Sequence, residues 1–130
     1  MTTKRILVVD DNATNLKLFT YLLCSPAHDV RTATDAREAL EVVASFRPDL
    51  ILMDIQLPDI DGLELTRQLR ESPLTRDTTI VAVTAYAMKG DAERARAAGV
   101  DGYISKPIEK EAFRRMVAEY LGKRGEVRRE

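Results

Sequence analysis

The sequence contains one cysteine, one histidine and no tryptophan, and aromatic residues make up only 5% of it. A single thiol, Cys24, excludes an intramolecular disulfide and points to a reducing compartment. It has none of the Cys and His company of a metal site or a catalytic thiol, so it reads as a filler on a helix. His28 lies in the polar turn Ser25-Pro-Ala-His-Asp29 and reads as a solvated surface residue. No run of 18 apolar residues occurs, and Met1-Thr-Thr-Lys-Arg5 leads straight into a strand without an apolar signal region. Neither sign of charge prevails: the net charge is −1, with charged residues at 32% and both signs mixed along the chain. Neither nucleic acid nor membrane is therefore expected as a partner. Internal repeats, low-complexity segments and linkers are also lacking. A chain of 130 residues is large enough for a single domain with a core of its own, and it is expected to be soluble and cytoplasmic.

What the chain does have is a set of short apolar runs, each ending on a polar residue. Leu50-Ile-Leu-Met53 is unbroken and closes on Asp54, a pattern that suits a strand buried on both faces of a parallel sheet. Ile6-Leu-Val-Val9 closes on Asp10-Asp11, Ile80-Val-Ala-Val83 on Thr84, and Gly102-Tyr-Ile-Ser105 on Lys106-Pro107. Asp29-Val-Arg-Thr-Ala33 alternates and is expected at a sheet edge.

Helical segments fall between these runs. Asn12 is a plausible N-cap for a helix carrying Leu16, Phe19, Leu22 and Leu23, which stops by Pro26. Asp35 opens a second, with a stripe of Ala36, Ala39, Leu40, Val43 and Ala44, and Asp61 caps a third, with Leu63, Thr66 and Leu69. Met88 to Ala98 is a fourth, ended by Gly99. The fifth carries Phe113, Met116, Val117, Tyr120 and Leu121 and is expected to stop at Gly122, leaving Lys123 to Glu130 as a frayed tail beyond a domain of residues 1–122. The alternation predicts an α/β fold: a doubly wound, five-stranded parallel sheet of order 2-1-3-4-5, helices on both faces, flavodoxin-like.

In that order the first and third strands flank the switch point, where ligands bind beyond the carboxyl ends of the strands. Asp10, Asp11 and Asp54 converge there. A lone Asp after a strand usually just begins a turn, but two carboxylates about 5 Å apart repel by roughly 3 kcal/mol at an effective dielectric of 20. Three together call for a cation. Asp11, Asp54 and a nearby backbone carbonyl suit Mg²⁺, and the metal with Lys106 balances the three negative charges. An Asp beside Mg²⁺, a lysine and a threonine hydroxyl can act as a nucleophile on phosphorus.

These residues resemble a two-component response-regulator receiver domain over roughly residues 4–121. The resemblance is carried by Val8-Val-Asp-Asp-Asn12, by Asp54 with Leu57-Pro58 and Gly62, by Thr84-Ala85, and by Tyr103-Ile-Ser-Lys-Pro107. Thr84 and Lys106 follow Asp54 by 30 and 52 residues, as in chemotaxis-type receivers. Met53-Asp-Ile-Gln-Leu-Pro58 and Thr84-Ala-Tyr-Ala-Met-Lys-Gly-Asp91 are similar to stand-alone, DivK-type single-domain regulators. The resemblance implies that Asp54 takes a phosphoryl group from a sensor histidine kinase or a histidine phosphotransfer protein. It implies Asp11 as direct metal ligand, Asp10 as the acid holding metal-bound water, the Gln56 carbonyl as third protein ligand, and Thr84 and Tyr103 as the switch pair, Tyr103 being the switch aromatic beside Lys106. It further implies a cis Lys106–Pro107 bond and a downstream protein bound at the face of the fourth helix, fifth strand and fifth helix. The protein would assist its own phosphorylation and dephosphorylation without being an enzyme toward other substrates, and an attached output domain is not expected.

Two other classes fit less well. An Asp-nucleophile phosphohydrolase of the haloacid-dehalogenase type places a general acid two residues after the nucleophile, where this chain has Gln56. A nucleotide- or flavin-binding module needs a Gly- or Ser/Thr-rich anion cradle after the first strand, where Asp10-Asp11 would repel a phosphate lacking metal.

Overall fold

The computed structural model describes residues 3–84, 90–105 and 108–127. Strands and helices alternate throughout: β1 (Lys4–Val9), α1 (Ala13–Leu23), β2 (His28–Ala33), α2 (Ala36–Phe46), β3 (Leu50–Asp54), α3 (Gly62–Glu71), β4 (Thr79–Thr84), α4 (Asp91–Ala98), β5 (Gly102–Ser105) and α5 (Lys110–Val127). All neighbouring strands pair in parallel, in the order β2-β1-β3-β4-β5. The three unbroken apolar runs are the inner strands β1, β3 and β4, and the alternating run, β2, forms one edge, with the short β5 at the other.

Successive strand residues point to opposite faces, which divides the interior in two. Ile6, Val8, Leu50, Leu52, Val81 and Val83 pack under α1 and α5 with Phe19, Leu23, Phe113 and Val117. The Phe19 and Phe113 rings meet at 5.4 Å between centroids and join the two helices. Leu7, Val9, Ile51, Met53, Ile80 and Ala82 face the other way, against Ala39 and Val43 of α2, Leu65 and Leu69 of α3, and Ala95 and Ala98 of α4. With both faces covered, β3 and β4 are buried at every residue. The site residues at their ends are thereby held on a rigid frame.

Local details differ from the sequence-based expectations. The stripe of α2 is Ala36, Ala39, Val43 and Phe46, whereas Leu40 and Ala44 are exposed. Positions 36, 39, 43 and 46 recur about once per turn at 3.6 residues, and Leu40 and Ala44 step round to the flank. Cys24 is not within a helix; it is the exposed residue that ends α1. His28 begins β2 half-buried, and its Nδ1 lies 2.8 Å from the Leu23 carbonyl oxygen, so it is tied to the end of α1 rather than solvated. The fifth helix runs through Gly122 to Val127. The glycines with positive φ are Gly90 and Gly99 among the described residues, so Gly122 keeps a helical conformation. A glycine inside a helix costs about 1 kcal/mol relative to alanine, too little to stop a helix by itself. Of the expected fourth helix, residues 91–98 are seen; Met88 lies outside the described residues. No helix among the described residues is long and apolar enough to cross a membrane.

Candidate functional site

The ends of β1 and β3 bring Asp10, Asp11 and Asp54 together, each offering a carboxylate oxygen within 4.8 Å of the others. The pairing Val9 with Met53 puts the two strand ends side by side. Asp10 and Asp54 are buried, while Asp11 is exposed.

Asp10 is placed by the turn into α1. Asn12 caps that helix by accepting the Asn15 backbone N–H at 3.1 Å. The resulting turn lets the Asn12 backbone N–H donate to Asp10 Oδ1 at 2.9 Å, and Asn15 Nδ2 donates to Asp10 Oδ2 at 3.2 Å. Asp10 also donates its own N–H to the Ala33 carbonyl at 3.0 Å, fastening it to the end of β2. A buried carboxylate is costly unless hydrogen-bonded, and both Asp10 oxygens are served. Asn15 was not singled out in the sequence; its signal is its place in the first turn of a helix that begins just after Asp10.

Asp54 continues directly from the core. The Gln56 backbone N–H donates to its Oδ1 at 3.1 Å, and the Ile55 N–H donates to the Val83 carbonyl at 3.2 Å, prolonging the ladder to β4 beyond the strand. The chain then folds back, with the Gly62 N–H donating to the Ile55 carbonyl at 2.6 Å. A Cβ at position 62 would lie 2.4 Å from the Asp54 carbonyl oxygen and 2.8 Å from the Ile55 Cα. Only glycine lets α3 begin this close to the site.

Thr84 ends β4 buried, one residue beyond Val83, the register partner of Asp54. Tyr103 pairs with Ala82 and packs half-buried on the α2–α4 side of the sheet. Gln56 is exposed in the loop after Asp54. Lys106 and the Lys106–Pro107 bond lie outside the described residues, as do Ala85 to Lys89.

The donor set fits the metal expected from the sequence. Three carboxylates this close repel one another, and an all-oxygen cluster suits a hard divalent cation, which takes carboxylates and keeps water.

A family model described as the response regulator receiver domain matches residues 6–118 of the chain. The chain belongs to that family. It is 44% identical over 119 residues to the polar-differentiation response regulator DivK of Brucella anthropi, covering 92% of this chain and 97% of that protein. The DivK of Brucella ovis is likewise 44% identical, over 120 residues, with 92% of this chain and 98% of that protein covered. Among solved structures, a CheY-like receiver domain protein from Methanospirillum hungatei superposes with a TM-score of 0.87 at 31% identity, covering 95% of this chain and 98% of that one. The receiver domain of the sensor histidine kinase PA1611 from Pseudomonas aeruginosa, solved with a magnesium ion coordinated in its active-site cleft, gives 0.84 at 33% identity, covering 93% and 99%. This receiver is therefore a response-regulator signalling domain on the CheY-like fold, similar over nearly its whole length to DivK regulators.

Proposed function

We propose that Asp54 is the phosphoacceptor of this receiver and that its donor is the phosphohistidine of a sensor histidine kinase or of a histidine phosphotransfer protein. The observation that carries this reading is the position of Asp54, buried at the end of the central strand within 4.8 Å of two other carboxylates. A carboxylate oxygen of Asp54 attacks phosphorus, the phosphorus–nitrogen bond breaks, and its electron pair leaves with the imidazole, so that an acyl phosphate remains on the aspartate. The Gln56 amide orients the attacking carboxylate from Oδ1. Thr84, at the end of the adjoining strand, donates its hydroxyl to a phosphoryl oxygen, and Lys106, the residue following β5, supplies a positive charge to another. Asp11, Asp54 and the Gln56 carbonyl would hold Mg²⁺, with Asp10 in the outer position that its two amide donors support. When bound, the metal supplies charge neutralisation for the phosphoryl group.

Incubation with acetyl phosphate and Mg²⁺, followed by intact-mass measurement, tests the reading. One phosphoryl mass should be added to the wild type and none to Asp54→Asn. An Asp54→Asn variant labelled as fast as the wild type would refute the assignment, and continuous turnover of an external phosphomonoester would favour a phosphohydrolase instead.

The downstream partner is assigned to the face made by α4, β5 and α5. In support, α4 contributes small anchors to the core, Ala95 and Ala98, and its N-cap, Gly90, makes no side-chain cap bond. The proposed setting is the cytoplasm, where the exposed thiol of Cys24 stays reduced.

A further inference from the structure

We infer that Asp59 is a positioning residue for the acidic site, clamping the loop that carries Gln56 onto the first turn of α2. The inference rests on the receiver reading given above. A helix leaves its first backbone N–H groups without internal partners. In α2 they are divided between two aspartates. Asp35, the N-cap, takes the Glu38 N–H at 2.8 Å. Asp59, more than 20 residues away in sequence, takes the Ala36 N–H on Oδ1 at 3.0 Å and the Arg37 N–H on Oδ2 at 3.1 Å. These bonds hold the Asp59 carboxyl below its ordinary pKa, the Ala36 amide contributing most. Its negative charge also meets the positive end of the helix dipole.

A cap for α2 does not need to come from this loop, because Asp35 already serves the helix from its own chain. The second effect of the clamp falls on the loop. Apart from the Ile55 N–H to the Val83 carbonyl, which only prolongs the strand ladder, the loop makes bonds close by: Gln56 N–H to Asp54, Gly62 N–H to Ile55, Ile60 N–H to Asp59 and Leu63 N–H to Asp61. Asp59 instead joins the stretch between Gln56 and α3 to a separate element. That element follows β2, whose last residue, Ala33, accepts the backbone N–H of Asp10. A closed path therefore runs from Asp10 through the β2 end and the α2 entrance to Asp59 and back along the loop to Asp54. It fixes one rim of the acidic cluster against the other, and Gln56 sits on it.

The test compares Asp59→Ala with Asp35→Ala, which removes a cap from the same helix without touching the loop. Mg²⁺ binding is read by titration calorimetry, and the Mg²⁺ dependence of phosphorylation by acetyl phosphate is read by intact mass. Asp59→Ala should raise the half-saturating Mg²⁺ concentration by about tenfold, the lower end of the effect of outer partners on metal ligands, with the rate at saturating Mg²⁺ kept. Asp35→Ala should lower the melting temperature and leave half-saturation unchanged. Asp59→Asn, which retains one acceptor oxygen, should fall between wild type and Asp59→Ala, and it carries the comparison if the alanine variant does not fold. Wild-type half-saturation in the Asp59 variants, or an equal shift in Asp35→Ala, would overturn the role of Asp59 alone. A wild type that takes neither Mg²⁺ nor a phosphoryl group, though folded, would overturn the receiver chemistry and this inference together.

Discussion

At the scale of single residues, the site depends on contacts between backbone and side chain more than on side-chain pairs. Asp10 is buried because the turn into α1 points two amide donors at it, and Asp54 is aimed by the amide of Gln56. Gly62 is the residue whose replacement is most directly readable. Its Cβ would meet the Asp54 carbonyl oxygen at 2.4 Å, and the atom met is backbone, which cannot swing aside. Gly62→Ala is expected to lose about 1–3 kcal/mol, the usual cost of overpacking, measured as a lower urea midpoint. Phosphorylation by acetyl phosphate should slow in the same variant, because the relief must come from the peptide that carries Asp54. An unchanged urea midpoint would show that the approach of α3 to β3 is looser than this. The need for glycine here was invisible in the sequence, where Gly62 was simply part of a loop motif.

At the scale of elements, the entrance of α2 shows how a helix end acquires pH dependence. Glu38 reaches back to Thr34, its Oε1 accepting the backbone N–H at 2.7 Å and the hydroxyl at 2.9 Å. These two bonds, the backbone one first, hold the Glu38 carboxyl below its usual value of 4.5 against a small opposing effect of burial. A depressed folded pKa means that the ionised form is favoured by folding. The contribution is complete above the unfolded value and disappears as the pH falls through the folded one. Acid titration of stability should therefore be shallower for Glu38→Gln than for wild type below about pH 4.5, as read from urea midpoints at a series of pH values. Parallel curves would show that the bond to Thr34 is not retained in solution. The Thr34, Asp35 and Glu38 pattern is local and could be read from the sequence as a helix start. The same helix's contact with Asp59 could not be, since more than 20 residues separate the partners.

At the scale of the whole molecule, the α3–β4 and α4–β5 turns are knotted together at the end of the sheet opposite the acidic cluster. Arg70 donates to the carbonyls of Gly99 at 2.8 Å, Arg76 at 2.9 Å and Thr78 at 2.6 Å, and pairs with the Asp101 carboxylate at 2.8 Å. The same Asp101 oxygen accepts the Ile80 N–H at 2.9 Å. The exit of α4 is thus tied to α3, β4 and β5, while its entrance at Gly90 has no side-chain cap. With its exit tied in this way, α4 should respond to the site more at its entrance than at its exit. Addition of beryllofluoride, a phosphoryl mimic, should move the amide resonances of residues 90–94 more than those of 98–101, with changes continuing into β5. Changes confined to the surroundings of Asp10 and Asp54 would refute the proposed route to the α4–β5–α5 face.

The sequence by itself determined the order of elements, the parallel sheet and the three converging aspartates. Those properties follow from apolar runs of strand length and from the polar residue at which each run stops, both of which are local. The endpoint of α5 was misread because the conformation a glycine takes is decided by the chain around it, and the buried face of α2 was set a step off because a helical stripe is fixed only by what it packs against. Tertiary structure alone decided which carboxylates are buried, that α3 starts against the Asp54 peptide, and that Asp59 and Arg70 each bind backbone groups of distant elements. Backbone amides and carbonyls are the same at every position in a sequence. Which of them are left over at a helix end or a turn, and which side chain is near enough to satisfy them, exists only once the chain has folded.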